Sequence, residues 1–185
     1  MSDPTSPPHS PQGLALVRDS IRAIPDFPKP GILFRDITPL LGDGAALAAA
    51  MALHVDAAAQ FEGPVDCICG IESRGFLFGL ALANHLGVGF APIRKPGKLP
   101  ATTVSESYAL EYGTDTLELH TDAFSKGARV LIVDDLLATG GTAATACTLV
   151  QRVGGTVAGC LFLVELLGLQ GRQKLDVPVR SIVTY

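Results

Sequence analysis

The chain is predicted to fold as an α/β protein, a mostly parallel sheet flanked by helices with an antiparallel flap. Three observations carry that expectation. Apolar runs suited to buried strands alternate with segments of helical periodicity. Hydrophobic residues make up 48% of the 185 and charged residues only 17%, enough to bury a substantial core. One apolar run ends in two aspartates and a loop of small residues that opens a helix, Val130 to Thr142.

The segment MSDPTSPPHSPQG crowds four prolines and three serines into its first eleven residues, so residues 1–13 are expected to be a disordered tail before a single domain over 14–185. It lacks the basic start and apolar stretch of a secretory signal. No later apolar run reaches the roughly 18 residues of a bilayer span. A cytoplasmic protein with no membrane partner is expected. The formal net charge of -4 argues against a broad nucleic-acid footprint, so any bound anion needs a local site.

Leu14, Val17, Ile21 and Ile24 share one helical face, predicting a short helix over Leu14–Ile24 that the three prolines of PDFPKPG then stop. Gly44 to Phe61 is alanine-rich with helical spacing, and Asp43 is placed to cap it. VDCICGI, VGFAPI, ARVLIVDD, Thr156 to Leu166 and VRSIVTY read as strands, with helices over Gly75–Leu86 and Gly140–Val153 as crossovers. YALEYGTDTLELH alternates on either side of Gly113, Thr114 and Asp115, which is a hairpin signal. Cys67 and Cys69 fall on one side of a strand and, with Cys147 and Cys160, show no CxxC spacing, so free thiols are expected. The four histidines lack metal-ligand spacing.

The informative segment is VLIVDDLLATGGT. Ligands of α/β sheets bind at the carboxyl ends of strands. Ala138, Gly140 and Gly141 let the backbone approach a ligand, successive N–H groups point at it, and the next helix N-terminus favours a phosphate. Thr139 and Thr142 can add hydroxyl donors. Asp134 and Asp135 lie where carboxylates accept from ribose hydroxyls. GxxxxGK[ST] and GxGxxG are both absent. A second strand ends in Glu72, Ser73 and Arg74 before a helix, offering backbone N–H groups and a guanidinium. Arg94, Lys95 and Lys98 gather three cations just past a third strand.

VDDLLATGGT resembles the phosphoribosyl pyrophosphate (PRPP) motif of the type I phosphoribosyltransferase family. PDFPKPGILFRDITPLL, GIESRGFLFG, IRKPGKLP and SYALEYG narrow the resemblance to its adenine phosphoribosyltransferase branch, in the same order along the chain from about Leu14 to the end. That resemblance implies the type I phosphoribosyltransferase fold with a small N-terminal hood, and the conversion of adenine and PRPP to AMP and pyrophosphate, in purine salvage. It implies pyrophosphate at Glu72, Ser73 and Arg74, with a cis Glu72–Ser73 peptide, and at Arg94 and Lys98. It implies adenine contacts from Leu33 through its backbone, Phe34, Arg35 and Leu166. It makes Glu111 the residue that manages the adenine proton, with Tyr108 and Tyr112 closing the flap. Mg2+ would arrive with PRPP and meet the protein mainly through water, with no dedicated protein metal ligands. The basic loop of related enzymes reaches toward a neighbouring subunit, which implies a homodimer. A transferase for a 6-oxopurine and a non-catalytic PRPP sensor that binds nucleic acid are the alternatives; the acidic charge and the retained Glu111 weigh against the second.

Overall fold

The computed structural model describes residues 11–109 and 114–185. The chain divides into two compact units, Met1–Asp56 and Ala57–Tyr185.

In the first unit, helix α1 (Pro11–Asp19) starts earlier and stops earlier than the apolar spacing indicates. The Ser20 hydroxyl donates to the Leu16 carbonyl at 2.8 Å as the helix ends. Ile24, placed on the helical face by spacing alone, belongs instead to strand β1 (Arg22–Pro25). This strand pairs antiparallel with β2 (Leu33–Asp36), Arg22 opposite Asp36 and Pro25 opposite Leu33. The proline-rich segment is therefore the turn of a hairpin. Asp26 (φ 58) and Gly31 (φ 87) take left-handed backbone, the Phe27–Pro28 peptide is cis, and Asp26 Oδ1 accepts the Gly31 N–H at 2.8 Å. Local helical spacing lost to a pairing partner ten residues away.

Asp36 joins the hairpin to α2 (Thr38–Gly42). Its Oδ2 accepts from Arg22 Nη2 at 2.6 Å, and its Oδ1 accepts from the Thr38 hydroxyl at 2.6 Å and the Thr38 N–H at 2.9 Å. These bonds, the Thr38 hydroxyl foremost, lower its pKa to about 2. Asp43 caps α3 (Gly44–Ala58) as its position indicated, Oδ1 accepting from the N–H groups of Ala45 and Ala46 at 2.8 and 3.0 Å. The helix ends at Ala58, short of Phe61.

The second unit is built on β3 (Cys67–Ile71), β4 (Gly89–Ile93), β7 (Arg129–Leu137), β8 (Thr156–Glu165) and β9 (Val179–Thr184). They lie in the order β4-β3-β7-β8-β9, every pair parallel. Helices α4 (Gly75–Leu86) and α5 (Gly141–Val153) pack on it. Strand periodicity assigns the faces. Cys67, Cys69, Val130 and Ile132 pack in one buried cluster with Ala146 and Leu149 of α5. Ile68 and Gly70 face the other way, where α4 comes so close that a Cβ at Gly79 would lie 3.5 Å from the Ile68 side chain. The four thiols are free, with Cys147 and Cys160 Sγ atoms 3.7 Å apart.

The expected flap is the antiparallel pair β5 (Thr103–Ala109) and β6 (Thr114–His120). Ala109 pairs with Thr114 and Tyr108 with Asp115, so Thr114 and Asp115 are strand residues and not part of the turn. Leu117 and Leu119 of β6 are buried in the core, and polar contacts add to their hold on the hairpin. Arg94 and Glu118 exchange backbone hydrogen bonds at 2.9 and 2.7 Å, and Arg152 of α5 reaches the Ser105 carbonyl at 2.6 Å and Glu106 Oε2 at 2.7 Å.

Candidate functional site

A cavity of about 430 Å³ opens where β3 and β7 end, the expected place for a ligand on a parallel sheet. Its floor comes from β7. This strand does not stop at the two aspartates but runs on to Leu137, paired with Glu165 of β8. Beyond Val133 the ladder continues to β8 alone, Asp134 opposite Phe162 and Leu136 opposite Val164. The loop Ala138–Gly140 then turns sharply into α5, with Gly140 as N-cap at φ 81. A Cβ at Gly140 would collide with the Gly171 carbonyl oxygen, and a Cβ at Gly171 with the Ala138 carbonyl oxygen. Two backbones lie against each other here because neither residue carries a side chain.

Asp134, Asp135, Ala138, Thr139, Gly140 and Thr142 all line the cavity, as do Glu72, Ser73 and Arg74. The Glu72–Ser73 peptide is cis, as the resemblance implied. Arg74 Nε forms an ion pair with Asp135 Oδ2 at 2.9 Å. Removal from water pushes both aspartates above the usual carboxylate range. The neighbouring Asp135 charge adds to the rise at Asp134, whereas Arg74 offsets part of it at Asp135. Gly75 follows because a side chain there would press on the Val133 carbonyl oxygen and Asp134 Oδ1.

The basic segment divides differently from expectation. Arg94 forms a two-point pair with Glu72, Nε to Oε2 at 3.2 Å and Nη2 to Oε1 at 3.1 Å, and its Nη1 donates to the Lys98 carbonyl at 3.1 Å. With the Lys95 N–H at 2.9 Å, this arrangement holds the Glu72 carboxyl below its ordinary pKa, Arg94 contributing most. Of this segment's three cations, Lys95 lines the cavity and Arg94 and Lys98 do not.

Lys95 Nζ pairs with Asp115 Oδ2 of the flap. The Tyr108 hydroxyl donates to the same Asp115 oxygen at 3.0 Å and meets Thr142 Oγ1 at 3.0 Å. Burial raises the Asp115 carboxyl, but Lys95, the Thr116 N–H and Tyr108 together hold it below its ordinary value. Burial is also the main cause that raises the Tyr108 phenol. Glu111 and Tyr112 lie outside the described residues. Leu33, Phe34 and Arg35 occupy β2 in the first unit, where Phe34 meets Phe27 edge to face at 5.1 Å between centroids. Leu166 is half-buried in the second unit, one residue past β8, and its N–H donates to the Leu137 carbonyl at 2.9 Å.

Asp115 and Gly171 are the site residues that sequence reasoning passed over. Asp115 follows Gly113 and Thr114 and so reads as turn chemistry; only the pairing register reveals it opposite Tyr108. Gly171 has no local signal, since its partner is a loop thirty residues upstream. Among the described residues no three His, Cys, Asp or Glu side chains converge as a metal cage, and no helix is long and apolar enough to cross a membrane.

The family model for the phosphoribosyl transferase domain matches residues 40–183. An adenine phosphoribosyltransferase of Serratia proteamaculans is 55% identical over 166 residues, covering 89% of this chain and 82% of that protein. The crystal structure of adenine phosphoribosyltransferase from Rhodothermus marinus superposes with a TM-score of 0.87 at 50% identity, covering 95% of this chain and all of the other. The Saccharomyces cerevisiae enzyme, solved with an imino-altritol bisphosphate and adenine, gives 0.87 at 40% identity over 93% of this chain and 99% of that one.

Proposed function

The chain belongs to the phosphoribosyl transferase family, within its adenine phosphoribosyltransferases, and we propose that it joins adenine to PRPP in the cavity over Asp134 to Thr142. The observation that carries the placement is the convergence of three chemistries on one cavity: two carboxyls at a strand end, a glycine-built loop at a helix N-terminus, and the Glu72–Ser73–Arg74 turn.

The 5'-phosphate sits against Ala138 to Thr142, taking backbone N–H groups and the Thr139 and Thr142 hydroxyls. Asp134 and Asp135 accept from the ribose hydroxyls, and Arg74 steers Asp135 toward them. Pyrophosphate lies against Glu72, Ser73 and Arg74, with Arg94 and Lys98 as its further contacts. Leu33, Phe34, Arg35 and Leu166 contact adenine, Glu111 holds the proton near N7, and Tyr108 and Tyr112 close the site against water. The paired carboxyls of Asp134 and Asp135, one already engaged by Arg74, fit a cation that enters with its own phosphate oxygens and water, so Mg2+ bound with PRPP fits the residues present. When bound, it neutralises charge that gathers on the departing pyrophosphate.

Residues 14–185 act as one phosphoribosyltransferase domain in this reading, supported over residues 40–183 by the family match. The enzyme works in the cytoplasm as a homodimer, with exposed Leu77 and Leu80 of α4 offering an apolar face to a second copy. The decisive experiment mixes purified protein, Mg2+ and PRPP with adenine, hypoxanthine, guanine or xanthine separately. AMP and pyrophosphate from adenine alone support the reading; nucleotide from a 6-oxopurine at a comparable rate overturns the base assignment.

A further inference from the structure

The Tyr108 hydroxyl sits on the phosphate loop with a fixed hydrogen inventory. It lies 3.0 Å from Asp115 Oδ2 and 3.0 Å from Thr142 Oγ1, and a Cβ at Gly141 would lie 3.2 Å from the Tyr108 ring. A phenol carries one hydrogen and an ionised carboxylate only accepts. Lys95 pairs with the same Asp115 oxygen, and Asp115 is held ionised, so the tyrosine hydrogen goes to Asp115. The bond between Tyr108 and Thr142 must then use the one hydrogen of Thr142, directed at the tyrosine oxygen. A phosphate dianion also only accepts. Thr142 therefore cannot donate to a 5'-phosphate while it donates to Tyr108.

We propose that Tyr108 is a positioning residue that occupies the Thr142 hydroxyl in the unliganded enzyme, so that 5'-phosphate binding must take the Thr142 hydrogen from it and free the Tyr108 side chain from the phosphate loop. The proposal rests on the assignment of Thr142 to the 5'-phosphate made above. It ties three segments together: the basic loop through Lys95, the flap through Asp115 and Tyr108, and the phosphate loop through Thr142.

Calorimetric titration with ribose 5-phosphate, which carries the phosphate without pyrophosphate or base, tests this in four proteins: wild type, Tyr108→Phe, Thr142→Val and the double variant. Tyr108→Phe keeps the ring against Gly141 and removes only the competing oxygen. It is expected to tighten binding roughly 2- to 10-fold, the worth of one neutral hydrogen bond. Thr142→Val alone should weaken binding, and Tyr108→Phe should add nothing in that background. Unchanged or weaker binding in Tyr108→Phe, with Thr142→Val still weakened, overturns the proposal and leaves the phosphate assignment intact. Wild-type affinity in Thr142→Val removes the assignment itself and the proposal with it. Unfolding midpoints of all four confirm that folded proteins are compared.

Discussion

Two carboxyls illustrate opposite uses of an environment. Asp36 gains the Thr38 hydroxyl and N–H and the Arg22 guanidinium on folding, and its pKa falls to about 2 from an unfolded value of about 3.9. A depressed carboxyl contributes stability that is present above its unfolded pKa and is lost as pH falls through the folded one. Asp36→Asn is therefore expected to lower the thermal midpoint at pH 7, with the gap to wild type closing between about pH 4 and 2. A gap that stays constant across that range would assign the bond's value to shape and not charge. Asp134 is pushed the other way, burial and then the Asp135 charge raising its carboxyl, an environment that suits a ligand supplying hydroxyl groups. Glu111 carries the remaining residue-scale test. General acid–base groups contribute about 10² to 10⁴ in rate, so Glu111→Ala should lower kcat within that range while the PRPP KM changes little. Glu111→Gln keeps a hydrogen bond without the proton; activity near wild type in that variant would mean that Glu111 positions adenine and transfers nothing.

At the scale of elements, the phosphate loop owes its shape to a neighbour that never has to touch a ligand. Gly171 lies in the short 3-10 segment after β8 (Gly171–Lys174), and this segment is clamped. Arg172 donates to Glu165 at 3.0 and 2.5 Å and to the Val179 carbonyl at 2.9 Å, and Ser181 donates to Glu165 at 2.6 Å. These bonds hold the Glu165 carboxyl below its ordinary pKa, with Arg172 the main cause. A segment pinned on both sides cannot retreat, so a methyl group at Gly171 must push the Ala138 carbonyl and distort the cradle. Displacing backbone at a tight turn costs on the order of 1 to 3 kcal/mol. Gly171→Ala should then weaken ribose 5-phosphate binding roughly 5- to 150-fold while leaving the unfolding transition cooperative. Unaltered affinity would show that the loop absorbs the strain without consequence for the cradle. The flap is held differently, through Leu117 and Leu119 buried in the core of the second unit as well as through Arg152 and the Arg94–Glu118 bridge.

For the whole molecule, the parts legible in the sequence are those whose signal is local. The alternation of strand and helix periods gave the parallel sheet, α4 was read to the residue, and the DD-to-TGGT run located the cavity. What escaped depended on distant partners. Ile24 went to a strand because β2 lies beside it; β7 ran past its aspartates because β8 extends the ladder; Asp115 and Gly171 matter only through Tyr108 and Ala138. One feature of α4 is legible in neither way and bears on assembly. Phe78 and Leu82 are fully buried on the sheet side, yet Leu77 and Leu80, one turn apart on the opposite side, are 51% and 57% exposed. Two large aliphatic side chains adjacent on a helix gain roughly 1.5 to 3 kcal/mol each when covered. A second copy of the chain is the proposed cover. Leu80→Glu places a charge in that contact, where desolvation without a partner is costly, and does so outside the α4 core, so the subunit should still fold. Sedimentation equilibrium is expected to give twice the chain mass for wild type and the single-chain mass for Leu80→Glu. A variant that remains dimeric moves the interface elsewhere, and a wild type that sediments as one chain removes the dimer altogether. If the basic loop serves the neighbouring subunit, the monomeric variant should also show a raised PRPP KM with adenine KM little changed.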